Sequence, residues 1–409
     1  MNKTPEKHLI FKISLLSISL FLMMAPQISS ALPLMYKAFP DVSQAAVQTL
    51  STIPNFGIVL GLIISPFLIK ILDEKVTILI GLVLTLISGT FPMYASAYTP
   101  ILISRFLIGL GIGTFNSLAV SLIPEFYSND EEEMATMIGY QNVMGSVGAA
   151  ISSFLVSYLV TISWHAAFAI YFLVIPALIL FTLFVPLKKK QNKASNQPSS
   201  HVTKQSINSK VVLIAGLMFV IFTFYMPMAY ELPSLIVSQQ MGTASTAALV
   251  AGFSTLIGIP IGASFGFFFK RLHDKIFPVG FSLITIGFLI TAFSPNIVIL
   301  FLGVIILGFG FGLGIPYMYN WLDWSAPANS INLATTIVLV LVNIGCAVSP
   351  SLIALIATPL GLDHPRGIML LSTLAFLIIA IYATIHYLGV HKAKLEKESM
   401  QNKEMHNAH

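Results

Sequence analysis

Two ionisable side chains, Arg105 and Glu231, stand within apolar stretches long enough to cross a membrane, and Arg105 is the only Lys or Arg well inside one. An arginine near the middle of a membrane helix costs about 2.5 to 3.5 kcal/mol, so an intramembrane charge indicates a function and requires a partner. At about 1.5 Å of rise per residue, both side chains fall in the outer third of the membrane and could meet. The hypothesis is that Glu231 binds and loses a proton, and that its protonation releases or resets Arg105.

Each of these side chains also has a simpler interpretation. Glu231 could lie in the outer membrane interface beside Lys37, where it would be solvated and would matter only for topology. Arg105 could be structural and bond to backbone carbonyls of neighbouring spans, rather than act on a substrate or a proton. The choice depends on the helices that surround the two side chains.

The composition determines the class of protein. Charged residues make up 9% of the 409 residues and hydrophobic residues 56%, with a mean hydropathy of +0.87. A soluble globular domain is typically about a quarter charged, so the chain is an integral membrane protein. The isoelectric point is near 9.1, but the basic residues lie in short clusters between apolar runs and therefore reflect membrane topology rather than nucleic-acid binding.

The sequence offers no catalytic, metal or cofactor site. Cys346 is its one cysteine, which excludes a disulfide framework and a thiolate metal site. His165, His364 and His386 are far apart and lack the spacing of metal ligands. Paired catalytic carboxylates, a nucleophile motif and a Walker-type ATP-binding sequence are missing as well. We therefore expect neither an enzyme nor an ATP-driven pump, and no bound cofactor or metal.

Twelve apolar segments are long enough to cross about 30 Å of hydrocarbon, which takes roughly 17 to 25 residues. Most are too uniformly apolar to show amphipathic periodicity, as is typical of helices surrounded by lipid or by other helices. The first follows Lys3, Lys7 and Lys12 and continues beyond the length of a signal-peptide core, so we interpret it as a span. The predicted spans are 10–36, 45–69, 76–97, 100–124, 135–161, 166–186, 211–237, 245–269, 276–293, 296–321, 333–358 and 367–389.

The distribution of Lys and Arg orients these spans. With a cytoplasmic N-terminus, 18 of the 21 basic residues fall on the inner side, Lys37 and Arg366 fall on the outer side, and Arg105 is inside a span. The positive-inside rule therefore predicts two cytoplasmic termini and an even number of spans.

The chain repeats itself across a polar linker, with an offset near 200. Residues 70–75, KILDEK, match residues 270–275, KRLHDK, and the glycines at 109, 111 and 113 match those at 308, 310 and 312. Arg105 has no charged counterpart, since the offset of 199 leads to Val304. We predict a six-span bundle at 1–187, a flexible cytoplasmic linker at 188–209, a second bundle at 210–391 and a cytoplasmic tail at 392–409. The two bundles are expected to be related by an axis along the membrane normal.

Two parallel six-span repeats joined by a cytoplasmic loop resemble the major facilitator superfamily over essentially the whole chain, which implies an all-α membrane fold. Arg105, Gly109 and Gly113 match the fourth-span motif of that superfamily, an arginine with glycines four and eight residues on. The loop motif after span 2 is degraded, because Ile69 stands where an acidic residue belongs. The fifth-span antiporter motif lacks its proline. The runs 107–125 and 162–168 are most similar to bacterial efflux and cyanate-type permeases.

In the fold that the chain resembles, spans 1, 4, 7 and 10 line a central cavity, so polar side chains on these spans form the candidate site. Pro26 and Pro33 break span 1, and Pro227 and Pro233 break span 7. The carbonyls that they free are tolerated in a membrane only where protein or a watered cavity satisfies them. The candidate substrate-binding or coupling residues are Gln27, Arg105, Asn116, Tyr225, Tyr230, Glu231, Tyr317, Tyr319 and Asn320.

The resemblance implies a secondary active transporter that rocks two halves about a site near the midplane. Mainly aromatic and amide side chains line the expected cavity, which favours proton-coupled export of amphipathic or drug-like compounds. The alternative is proton-coupled uptake of a small organic or inorganic anion, with Arg105 as its clamp. The expected partners are the small-molecule substrate, protons and the lipid bilayer, without nucleic acid. The expected form is a monomer in a bacterial inner or plasma membrane.

Overall fold

Regular structure in the described residues is helical. The computed structural model describes residues 8–187, 206–327 and 330–407, with side chains as far as Gly389. Within these ranges, eleven helices are long and apolar enough to cross a membrane, and one bent pair of helices brings the number to twelve. The all-α membrane fold and the twelve predicted spans are confirmed.

The helices follow the predicted spans closely. Span 1 is the bent pair Leu9–Phe21 and Ala25–Ala38, and the next five spans are Gln44–Leu72, Glu74–Met93, Tyr98–Tyr127, Glu131–Leu159 and Ala166–Phe184. In the second half the helices are Ser209–Tyr225, Pro227–Tyr230 and Leu232–Ser238 for span 7, Ala244–Ala263 and Phe265–Leu272 for span 8, Ile276–Phe293 for span 9, Ile297–Ser325 for span 10, Ile331–Ala357 for span 11 and Pro365–Asn407 for span 12. The predicted linker lies outside the described residues except for 206–209, and the predicted tail is helical as far as Asn407.

Spans 2 and 8 each end at a non-glycine residue with a positive φ. Asp73 has a φ of 77° and a ψ of 170°, and His273 a φ of 44° and a ψ of -129°, so neither has the αL conformation of a common helix C-cap. Asp73 also begins span 3, because its Oδ1 accepts the backbone N–H of Val76 at 3.0 Å as an N-cap. The two positive-φ residues are 200 residues apart in the chain, which matches the offset of the sequence repeat.

Prolines interrupt spans 1 and 7 as predicted. Span 1 changes direction by 53° between its two helices, and a 3₁₀ segment, Ala25–Ala31, begins directly after the bend. Pro26 lies in the first turn of that segment, where its ring and missing N–H prevent a regular continuation of the α-helix. Span 7 is interrupted at Met226, before Pro227, and again at Glu231.

A glycine brings span 4 against span 3, and its counterpart brings span 10 against span 9. A Cβ added at Gly111 would lie 2.6 Å from Thr85 Oγ1, and one added at Gly310 would lie 2.5 Å from the Gly280 carbonyl oxygen. Only glycine allows helices to approach so closely. The repeated glycines at these two positions therefore belong to a packing arrangement that both halves share.

Each half has its own hydrophobic core. One cluster is built mainly from spans 1–6 and the other from spans 7–12. We call the end of the bundle at which spans 1 and 7 begin the linker end, and the opposite end the far end. The positive-inside rule predicts that the linker end is cytoplasmic.

Hydrogen bonds join the two halves toward the far end. Thr52 Oγ1 in span 2 donates to the Ala347 carbonyl in span 11 at 3.2 Å. The hydroxyls of Ser157 in span 5 and Ser245 in span 8 lie 2.9 Å apart. Together with a bond to Glu231, these contacts connect the two halves at the far end.

Candidate functional site

Arg105 is completely buried, and each nitrogen of its guanidinium group has an acceptor. Nε donates to the Leu50 carbonyl at 2.8 Å, Nη1 to Tyr171 Oη at 2.7 Å and Nη2 to the Ala25 carbonyl at 2.5 Å. The guanidinium carbon also lies 5.7 Å from the centroid of the Phe168 ring, a cation–π contact. The acceptors belong to spans 2, 6 and 1, so one side chain of span 4 ties three other helices together.

Close packing of spans 2 and 4 makes this arrangement possible. Gly109, one turn along span 4 from Arg105, lies directly against the backbone of Pro54 in span 2. Leu50 lies one turn before Pro54, so its carbonyl comes within reach of the guanidinium group. The arginine and the glycine four residues later thus act as a unit, in which the glycine sets the helix distance and the arginine bonds across it.

The surroundings of Arg105 match its structural interpretation. Two of its acceptors are backbone carbonyls of neighbouring spans and the third is a neutral hydroxyl. Arg105 forms no ion pair within the described part of the chain, so its partners leave its positive charge uncompensated. The side chain is fully enclosed in this conformation, and its role as a direct clamp for an anion stays a prediction.

Glu231 is buried as well, with 2% of its surface exposed. Its Oε1 accepts a hydrogen bond from Gln48 Nε2 at 2.5 Å. The same nitrogen lies 3.1 Å from Tyr36 Oη, to which Ser234 Oγ donates at 3.5 Å. Gln48 and Tyr36 belong to the first half, so the carboxyl group lies between the halves at the far end. The solvated alternative beside Lys37 is wrong, because Lys37 is exposed and Glu231 is not.

Arg105 and Glu231 do not form the ion pair that the sequence suggested. Among the described residues neither one has an ion-pair partner. Both are instead bonded to span 2, Arg105 through the Leu50 carbonyl and Glu231 through the Gln48 side chain. The two side chains lie at a similar depth and therefore bond to neighbouring residues of span 2. A similar depth does not bring them together, because it does not determine the direction in which each side chain leaves its own helix.

Tyr230 and Tyr317 are largely enclosed by protein, Tyr230 between the two halves and Tyr317 within the second half. Tyr230 is completely buried, and its hydroxyl lies 3.1 Å from Ser349 Oγ of span 11. Tyr317 is 4% exposed, donates to Asp274 Oδ1 at 3.3 Å and stacks on Phe277 with ring centroids 5.4 Å apart. The prediction assigned whole spans to the cavity, because the uniformly apolar sequence of spans 7 and 10 did not distinguish one helix face from another.

Gln27 and Tyr225 are partly exposed and already have partners. Gln27 Nε2 donates to the Met23 carbonyl at 3.0 Å, and its Oε1 accepts from Ser153 Oγ at 2.7 Å. This amide therefore ties span 1 to span 5. Tyr225 stacks on Phe311 of span 10, with ring centroids 4.0 Å apart.

The other predicted residues, Asn116, Tyr319 and Asn320, are half-buried and stand in the linker-end parts of spans 4 and 10. Their side chains form no hydrogen bond within the part of the chain that the structure describes. The two amides offer both donors and acceptors. Of the predicted site, they are the groups most accessible to a solute.

Sequence reasoning missed Gln48, Tyr36 and Tyr171. Each lies within a few residues of a predicted span end. At such a position the local sequence looks the same whether a polar side chain is solvated or is covered by neighbouring helices. Only the packing of the helices tells the two apart. In the described ranges no group of three or more His, Cys, Asp or Glu side chains is placed to hold a metal ion.

The chain is similar to known proteins over most of its length. The family model described as Major Facilitator Superfamily matches residues 13–350. A relative from Staphylococcus haemolyticus (strain JCSC1435), named "Probable nitrate transporter NarT", is 26% identical over 368 residues, which cover 87% of this chain and 90% of the relative. A protein of the same name from Staphylococcus aureus (strain JH9) is 24% identical over 388 residues, covering 92% and 93%.

Solved transporter structures share the fold. The nucleoside transporter NupG superposes with a TM-score of 0.71 at 12% identity, over 92% of this chain and 98% of that one. The xylose transporter XylE from E. coli, in an inward open conformation, gives a TM-score of 0.66 at 15% identity, over 90% and 94%. At such identities the likeness concerns the fold and not the substrate.

Proposed function

Because the chain belongs to the major facilitator superfamily and is therefore a secondary transporter, we propose that it takes up a small anion together with protons. The observation that carries the proposal is Arg105, a buried positive charge whose hydrogen-bond partners are all neutral. Relatives that are 24% and 26% identical are named as probable nitrate transporters. This support favours anion uptake, the alternative drawn from the sequence, over the export of drug-like compounds.

Arg105 acts on the anion through its electric field rather than by contact. Asn116 lies 11 residues along span 4 from Arg105, about 16 Å at about 1.5 Å of rise per residue. A unit charge at that distance, with an effective dielectric constant of about 20, contributes about 1 kcal/mol. This energy corresponds to about a fivefold gain in anion affinity. The direct donors are the amides of Asn116 and Asn320, which are partly exposed and have no protein partner in the described ranges.

Glu231 couples the anion to protons. When its carboxyl group is ionised, the negative charge opposes the field of Arg105, and when it is protonated the field acts in full. Binding of a proton and binding of the anion therefore favour each other, and this coupling is reciprocal. Proton and anion are then carried in the same direction.

The test uses purified protein in liposomes, with the pH lower outside than inside and isotopically labelled nitrate outside. We expect uptake that stops when a protonophore dissipates the gradient. Arg105→Lys keeps the charge and should retain more uptake than Arg105→Gln, which keeps hydrogen-bond donors but loses the charge. Equal loss of uptake in two folded variants would refute the field argument.

Export of amphipathic compounds is a second candidate, supported by apolar surface on two of the spans expected to line the cavity. Met23, at the bend of span 1, is 52% exposed, and Tyr225 of span 7 forms a stacked aromatic pair with Phe311. In the same liposomes, movement of ethidium driven by the proton gradient, without nitrate uptake, would support export and overturn the anion proposal.

A further inference from the structure

The segment Gln44–Thr52, at the far end of span 2, is bonded to both halves of the protein. Two bonds fix it to span 4 of its own half, and two reach spans 11 and 7 of the other half. These bonds run from Tyr98 Oη to the Ala46 carbonyl at 2.8 Å, from Arg105 Nε to the Leu50 carbonyl at 2.8 Å, from Thr52 Oγ1 to the Ala347 carbonyl at 3.2 Å and from Gln48 Nε2 to Glu231 Oε1 at 2.5 Å.

We propose that Gln48 is a positioning residue that allows Glu231 to stay buried after it has lost its proton. The inference rests on the proposed role of Glu231 in proton coupling. An ionised carboxylate is costly to bury unless it is paired or hydrogen-bonded. Arg105 does not pair with the Glu231 carboxylate. Within the described residues, the side-chain donor to this carboxylate is Gln48 Nε2.

The transport cycle requires such a donor. A carrier that brings in an anion and a proton must return empty, and in passing between its two open states it encloses Glu231 at the far end without a proton. The bond from Gln48 lowers the cost of that step, because a hydrogen bond to an ionised acceptor is roughly twice as strong as one to a neutral acceptor. Without Gln48, the far end would close only over a protonated Glu231.

The other titratable side chains that face Glu231 are phenols. Tyr36 of span 1 and Tyr230 of span 7 are close enough to interact with it electrostatically, and the segment Gln44–Thr52 carries no titratable side chain. Phenols stay neutral from about pH 5.5 to about pH 8.5, and arginine stays charged. Opening of the far end within that pH interval therefore reports on Glu231.

The experiment measures opening of the far end by electron–electron double resonance, without substrate, on full-length protein in lipid nanodiscs. Nitroxide labels are placed at Ser96 and Asp363, exposed residues in far-end loops of the two halves. Cys346, the single native cysteine, is replaced by Ala. The distance distribution between the labels is recorded from about pH 5.5 to about pH 8.5.

In the wild type we expect the far end to stay closed over ionised Glu231, because Gln48 stabilises the carboxylate. In Gln48→Met we expect the far end to open as the pH rises within this interval, at least about one pH unit below any opening of the wild type. Gln44→Met makes the same chemical change one turn earlier on the same helix, at an exposed residue, and should behave like the wild type. Glu231→Gln should abolish the difference between Gln48→Met and its parent. An unchanged profile in Gln48→Met, or an equal shift in Gln44→Met, would overturn the proposal.

If Gln48→Met does not fold, adding Glu231→Gln should restore folding, since a neutral amide does not need a donor for a buried charge. Failure of that rescue would also count against Gln48. Nitrate uptake is measured separately on the wild type, so an absence of uptake refutes the proposed function. The pH profile of the labelled protein still decides the role of Gln48, because it requires no substrate.

Discussion

Replacing Tyr171 with Phe removes a single hydroxyl from the surroundings of Arg105. Tyr171 Oη accepts the Nη1 N–H at 2.7 Å, and both side chains are completely buried. A hydrogen bond to a charged group contributes about 1.5 to 3 kcal/mol, and a buried donor left without its acceptor loses that contribution. The ring itself lies 5.8 Å from the guanidinium carbon and stays in place. Tyr171→Phe should therefore lower the free energy of unfolding by about 1.5 to 3 kcal/mol.

Thermal unfolding of the purified protein measures this loss. For 409 residues, an unfolding entropy of about 2.1 cal/mol/K per residue gives about 1.2 °C per kcal/mol, so the melting temperature should fall by roughly 2 to 4 °C. Tyr158→Phe is the matched control, because it removes the same atom from a side chain that is 69% exposed, and it should shift the melting temperature by less than about 1 °C. A melting temperature of Tyr171→Phe equal to that of the wild type would refute the hydrogen-bond network around Arg105.

Three further substitutions test the packing, the binding site and the coupling. Gly111→Ala should lower the free energy of unfolding by about 1 to 3 kcal/mol, because its Cβ would meet Thr85 Oγ1 at 2.6 Å. The control is Gly308→Ala, which has no atom within 4 Å of its Cβ position and should change the free energy of unfolding by less than about 0.5 kcal/mol. Asn116→Ala should raise the KM for nitrate about tenfold through loss of one hydrogen bond and leave the melting temperature unchanged. An unchanged KM would contradict the proposed hydrogen bond between the Asn116 amide and the anion. Glu231→Gln should abolish gradient-driven uptake but retain exchange of labelled for unlabelled nitrate in counterflow; accumulation with normal proton dependence would exclude Glu231 as the coupling group.

Hydropathy alone was enough to predict the number of spans and their approximate limits. A helix is one of the few structures in which every backbone group can form a hydrogen bond within hydrocarbon. An apolar run of the right length is therefore expected to be a helix. Local rules predicted more: prolines indicated the interruptions of spans 1 and 7, and the offset of the repeat matches the spacing of the positive-φ residues Asp73 and His273.

The direction of side chains could not be predicted in the same way. Spans 7 and 10 lack periodicity, so the sequence did not show that Tyr230 is buried between the halves or that Tyr317 points into its own half. Gln48 lies near the start of its predicted span, where a polar residue would be expected to be solvated. Its burial, with 3% of its surface exposed, results from spans 1, 7 and 11 covering the far end.

The two buried charges are distributed unequally over the repeat. The counterpart of Arg105 in the second half is Val304, and the counterpart of Glu231 in the first half is Ala31. The shared packing contacts of spans 4 and 10 require neither charge, as the glycines at 111 and 310 make equivalent close approaches in both halves. The charged groups therefore belong to a function that the common architecture does not need.

A rocking motion of the two halves would affect the two charges differently. All three hydrogen-bond acceptors of Arg105 belong to the first half, so that network stays intact when one half moves against the other. The bond between Gln48 and Glu231 crosses from one half to the other and has to break when the far end opens. The hypothesis drawn from the sequence was that protonation of Glu231 releases or resets Arg105. Such a release is not needed when the network around Arg105 stays intact. In our proposal Arg105 provides a constant field, and Glu231 is the group whose surroundings change in each cycle, which makes it the better position for exchanging a proton.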